Sequence, residues 1–211
     1  MRSQSLYHDI FPKGNLQHCI GVIFARSRQR LMWGIVIALS QLFLGCSNMR
    51  EDFSSRCVQQ MEVKAYQKAL ENCTQAIIYG SNTASDYVRR GYVRTQLGEY
   101  KEAIEDYTQA LFLQPDAVNV FNHRCVAYYR VGKYQEAIAD CSDALSIKPD
   151  FAGAYANRGR VQAALNDKKG ALTDYQNAAK LFLKQGQMES YKVVQEDIRK
   201  LTLEDPSPKE V

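Results

Sequence analysis

The chain has 211 residues, 45% of them apolar, with a mean hydropathy of −0.39. That suffices for one compact domain and argues against a membrane protein with many spans. The formal net charge of +4 arises in the leader: Arg2, Lys13, Arg26, Arg28 and Arg30 oppose one acid, Asp9, up to Gly45, which leaves 22 basic and 22 acidic residues from Cys46 onward. A neutral domain gives no electrostatic case for binding nucleic acid.

The first predicted element is the uncharged run Leu31 to Leu44, LMWGIVIALSQLFL, which follows Arg26, Arg28 and Arg30. At fourteen residues it falls short of the roughly 20 that span a bilayer as a helix. Basic residues followed by a short apolar core are the pattern of a secretory signal, so residues 1–45 read as a leader. The core ends in Leu42-Phe43-Leu44-Gly45-Cys46-Ser47, which resembles the lipobox of bacterial lipoproteins, although Phe43 and Leu44 are bulkier than that pattern usually has. The resemblance implies lipid on Cys46 and a domain held at a membrane surface. The alternative is an uncleaved single anchor.

From about residue 50 the sequence repeats itself. Residues 84–117 return as residues 118–151, and the same 34-residue step finds weaker copies at 50–83 and 152–185. Each copy places an aromatic residue in its first half, at Phe53, Tyr87, Phe121 and Tyr155, and alanines in its second half. The alanines are Ala69, Ala103, Ala137 and Ala171, then Ala76, Ala110, Ala144 and Ala178. Small residues facing large ones let two antiparallel helices approach closely. Gly98 and Gly132 mark the turn between the two helices, and Pro115 and Pro149 close the middle copies. The first helices are expected to start near the four aromatics, and the second near Tyr66, Tyr100, Tyr134 and Lys168.

This pattern resembles the tetratricopeptide repeat (TPR) family over about three quarters of the chain. The resemblance implies a right-handed all-α solenoid of four helix hairpins. A fixed period of this kind signals such stacks, and terminal copies are expected to diverge. The first has Lys64 and Ser81 in the turn and closing positions, and the last has Asn166 and Leu183. Past Gly186, Met188, Tyr191, Val194, Ile198 and Leu201 recur at helical spacing. That stripe predicts a capping helix over 187–201 that closes the open end. Residues 204–211 are short, polar and broken by proline, and are expected to be disordered.

Four cysteines occupy one pair of slots. Cys57 and Cys73 in the first copy, and Cys125 and Cys141 in the third, are replaced by Gly91 with Tyr107 and by Gly159 with Tyr175 in the other two. Both slots lie about two turns from the bend, on facing helices, where Cβ atoms come within disulfide range. A disulfide in each hairpin would mark an oxidising compartment; small buried hydrophobes are the alternative. Metal binding is not expected, because the pairs belong to different copies and lack close CxxC spacing. Arg56, Arg90, Arg124 and Arg158 share one slot, and Asp106, Asp140 and Asp174 share another, with Asn72 in the first copy. These read as structural ion pairs between the paired helices.

No phosphate loop, HExxH or nucleophile elbow is present, and His123, alone beyond the leader, is read as a surface group. An enzyme and a cofactor are therefore not expected. In TPR proteins the inner face comes mainly from the first helices, which on this chain selects Tyr92, Gln96, Asn119, Asn122, Val126, Tyr129, Arg130 and Arg160 for a protein or peptide partner. Co-chaperone TPRs clamp a C-terminal carboxylate with lysine and asparagine; the matching slots here hold Val88, Tyr92, His123, Gly153 and Asn157, so no clamp is expected. The resulting expectation is a non-enzymatic scaffold on the outer side of a bacterial membrane. The alternatives are an assembly factor on the cytoplasmic side and a regulatory subunit of an envelope hydrolase.

Overall fold

The structure, a computed structural model, describes residues 51–80 and 82–203, and among them there are helices and turns but no strand. The leader with Cys46 and the tail 204–211 lie outside the described residues. No described helix is long and apolar enough to cross a membrane.

Four hairpins follow one another. Helix α1 covers residues 51–62 and pairs with α2 (Tyr66–Tyr79). Then come α3 (Ala84–Leu97) with α4 (Tyr100–Leu113), α5 (Val118–Arg130) with α6 (Tyr134–Ile147), and α7 (Ala152–Ala164) with α8 (Lys168–Lys184). A last helix, α9 (Met188–Leu203), packs on α8. The fold is a TPR-like all-α solenoid.

The bend between paired helices has the same backbone in every hairpin. Lys64, Gly98, Gly132 and Asn166 all take a left-handed conformation, with φ of 57°, 83°, 79° and 62°. Glycine does so without cost, whereas a residue with a Cβ loses roughly 1–2 kcal/mol there. The first hairpin therefore keeps the turn despite an unfavourable Lys64, whereas Asn166 in the last is, after glycine, the type that tolerates this conformation.

The first helices start three residues earlier than their aromatics suggest, at Ala84, Val118 and Ala152. The reason is local for α3. Thr83 accepts from the Asp86 N–H, and the Asp86 carboxylate accepts from the Thr83 N–H at 3.2 Å and from its hydroxyl at 2.6 Å. This reciprocal cap fixes the helix start ahead of Tyr87.

Ala69, Ala103, Ala137 and Ala171 are fully buried where the second helix of each hairpin meets the first. The starts of first helices meet the ends of second helices, as in the cluster of Ala84, Tyr87, Leu111, Ala117 and Phe121. The rings of Phe53 and Tyr79 stack at 5.7 Å at the same edge of the first hairpin. First helices of neighbouring hairpins also pack on one another, α3 on α5 and α5 on α7. No packing of comparable extent joins second helices to each other, so the first-helix side is the inner side of the curve.

Candidate protein-binding surface

Each hairpin is locked internally before it offers a surface. Arg90 of α3 donates to Asp106 of α4 at 2.6–3.1 Å, Arg124 to Asp140 at 2.7 and 2.8 Å, and Arg158 to Asp174 at 2.7 and 2.9 Å. Their guanidinium groups also sit 5.7–5.9 Å from the rings of Tyr87, Phe121 and Tyr155. Two reach back one hairpin: Arg124 donates to Thr108 and Arg158 to Ser142, both at 3.0 Å. A single arginine thus ties the two helices of its own hairpin and the preceding second helix.

These pairs are buried rather than exposed. The aspartate side chains retain 2–6% of their accessibility. The first hairpin departs from the pattern: Asn72 gives Arg56 no carboxylate across the hairpin, and Arg56 pairs with Asp52 one turn away at 2.8 Å.

The cysteine slots behave as one unit. Cys57 is joined to Cys73 and Cys125 to Cys141, with Cα separations of 5.1 and 5.6 Å. In the second and fourth hairpins the tyrosine ring fills the space that the glycine leaves. A Cβ on Gly91 would lie 2.8 Å from Tyr107 Cε1, and one on Gly159 2.8 Å from Tyr175 Cδ1. Burial raises the Tyr107 phenol above its ordinary range against the opposing hydrogen bond with Thr95, and Tyr175 is pushed up to about 12 by burial with the nearby Asp197.

His123 is not a surface group. It is half-buried between two tyrosines, stacked on Tyr107 at 5.8 Å and meeting the edge of Tyr92 at 6.3 Å. Burial lowers its pKa, which favours the neutral ring.

The eight residues selected for partner binding all lie on first helices, and none is fully buried. Gln96, Asn119 and Arg130 are exposed, while Tyr92, Asn122, Val126, Tyr129 and Arg160 are half-buried. Tyr129 leans on Tyr134 at 5.9 Å. Asn122 accepts from Asn157 at 2.9 Å, Arg160 donates to Asn157 at 3.0 Å, and Arg160 pairs with Asp197 of α9. This chain of amides and charges crosses α5, α7 and α9 along the inner side. Asn157 and Asp197 complete it although they were not among the selected residues. Asn157 follows Asn122 by 35 residues and so falls just outside a strict 34-residue comparison.

Two family models match the chain: one for a TPR repeat over residues 91–132, and one for a tetratricopeptide repeat over residues 118–151. No curated protein matches the sequence. Among solved structures the chain is similar to MamA, at 19% identity over 70% of this chain and 86% of that one, with a TM-score of 0.62. It is also similar to the TPR2B domain of yeast Sti1 in a complex with pHsp70, at 21% identity over 58% and 98% with a TM-score of 0.56. The first TPR of Spaghetti (RPAP3), bound to the HSP90 peptide SRMEEVD, matches at 26% identity over 58% and 93% with a TM-score of 0.52. Residues 91–151 thus carry tetratricopeptide repeats, and the described chain has the solenoid fold of that family.

Proposed function

We propose that the protein is a non-enzymatic scaffold that binds a polypeptide segment on its first-helix face while its N-terminus is fastened to the outer side of a bacterial membrane. TPR folds are typically interaction scaffolds, and the observation that carries the reading is the composition of this face. Tyr92 and Tyr129 are ring systems held by neighbours yet still accessible, and Asn119, Asn122 and Gln96 supply amides beside them. Rigid rings contribute contact area at little entropic cost, and amides hydrogen-bond an extended backbone.

The Spaghetti domain holds the HSP90 peptide SRMEEVD in its structure, which supports a peptide as the ligand here. The acidic C-terminus of the Spaghetti peptide is not the expected chemistry. Val88, Tyr92, His123, Gly153 and Asn157 provide no lysine for a terminal carboxylate, and Arg160 is already paired with Asp197. An internal, uncharged segment fits better. The lipobox-like run ending at Cys46 and the two cysteine pairs support an oxidising, extracytoplasmic location.

The test is a crosslinking pull-down from membranes that compares wild type with Tyr92→Ala plus Tyr129→Ala. The double variant is expected to lose its partner while keeping its helical content. Unchanged capture would refute the face, and protection from external protease in spheroplasts would refute the location.

A further inference from the structure

The end of each second helix turns apolar side chains outward. Ile78 and Tyr79 of α2 are 51% and 38% exposed, Phe112 and Leu113 of α4 are 79% and 47%, and Ile147 of α6 is 45%. Single exposed apolar residues are ordinary. These five are not single: they fall in two adjacent slots that recur at the repeat period, so the stack lines them up along one edge. Ile77, Leu111 and Leu145, one position earlier, are buried, so the outward residues are surplus to the core.

That edge is also where the chain enters the domain. Residue 51 begins α1, and the Phe53 ring against Tyr79 puts the start of α1 beside the end of α2. The five residue-to-residue steps from Cys46 to Glu51 reach at most about 18 Å when extended, and the seven from Leu44 about 25 Å. A tether this short, lipid-borne or uncleaved, holds the start of α1, and with it this edge, near the bilayer. In the first of the two slots the apolar character fades with distance from the tether, while the second stays apolar through Tyr79, Leu113, Ile147 and Leu181. The first slot reads Ile78, Phe112, Ser146 and Lys180 along the four hairpins.

Charge selects the lipid. Exposed Glu51, Asp52, Asp116 and Asp150 lie at this edge with Lys148, Lys180 and Lys184. No basic excess is available to attract anionic headgroups.

We infer that the edge formed by Ile78, Tyr79, Phe112, Leu113 and Ile147 rests on the membrane, its side chains inserted at the interface of a neutral phospholipid surface. This rests on the anchored reading above. It gives the solenoid a fixed orientation, with the helix axes upright and the first-helix face open sideways along the membrane. Partially inserted apolar side chains sit about 5–10 Å into the headgroup boundary.

The test uses the full chain in phosphatidylcholine vesicles that carry a photoactivatable group on the acyl chain, with adducts mapped by mass spectrometry. Adducts are expected on 78–79 and 112–113, fewer on 147, and none on Val63 or Leu165, which are 67% and 40% exposed at the opposite edge. Phe112→Ser plus Leu113→Ser, with an unchanged melting temperature, is expected to lower labelling of 78–79 at least threefold. Adducts confined to 31–46 would uphold the tether and overturn the resting edge. An absence of adducts everywhere would overturn both. Crosslinks between the edges of two copies, with no lipid adducts there, would assign this surface to a dimer and overturn the inference.

Discussion

Gly91 and Tyr107 occupy, in the second hairpin, the two positions that Cys57 and Cys73 join by a disulfide in the first. Covalent bond and ring insertion are two solutions to one packing problem, the close approach of paired helices two turns from the bend. Gly91→Ala places a methyl 2.8 Å from the Tyr107 ring and is expected to lower stability by about 1–3 kcal/mol. Gly91→Cys plus Tyr107→Cys is expected to form a third disulfide, visible as a two-dalton loss of mass that reductant reverses.

The two native disulfides each close a loop with a sequence separation of 16. In the chain-entropy picture each contributes about 3 kcal/mol. Cys125→Ala plus Cys141→Ala is expected to lose about that much in a denaturant titration. Blocking free thiols on the exported protein before and after reduction reads the same bond in its native setting. The four cysteines are expected to label only after reduction.

Asp106 accepts from both Arg90 and Arg94 and retains 2% of its side-chain accessibility. Asp106→Asn leaves two guanidinium groups without their counterion and is expected to cost about 3 kcal/mol. Asp52→Asn removes the exposed pair with Arg56 and is expected to change stability by less than about 0.5 kcal/mol. Equal effects in thermal melts would show that the interhelical pairs are not what locks the hairpins.

His123 carries a pH dependence whose sign is fixed by burial. Its folded pKa lies below the ordinary 6.5 because burial disfavours the charged ring. As pH falls from 6.5 toward that lower value, the unfolded chain binds a proton that the folded chain does not, so stability falls. Above 6.5 the effect is absent. His123→Gln is expected to flatten the melting temperature between pH 7 and pH 5 relative to wild type.

The repeating features were the legible ones. A 34-residue period exposes the hairpins, the paired cysteine slots and the Arg–Asp pairs, because each depends on residues that hold the same relative position in several copies. Contacts unique to one junction leave no periodic trace. The burial of His123 depends on Tyr107 in the preceding hairpin, and the Asn122–Asn157–Arg160–Asp197 chain crosses three helices with offsets of 35, 3 and 37 residues. The earlier start of α3 likewise comes from a local cap at Thr83 rather than from the aromatic pattern.

The central claim, that the first-helix face holds a polypeptide, is tested most directly by placing a photocrosslinking amino acid at single positions in the cell. Gln96 and Val126 report on that face, and Glu105 and Ala139, exposed on second helices, report on the other. The account predicts one discrete crosslinked product from positions 96 and 126 and none from 105 and 139. A product from 105 or 139 alone would place the partner on the wrong side of the solenoid and contradict it.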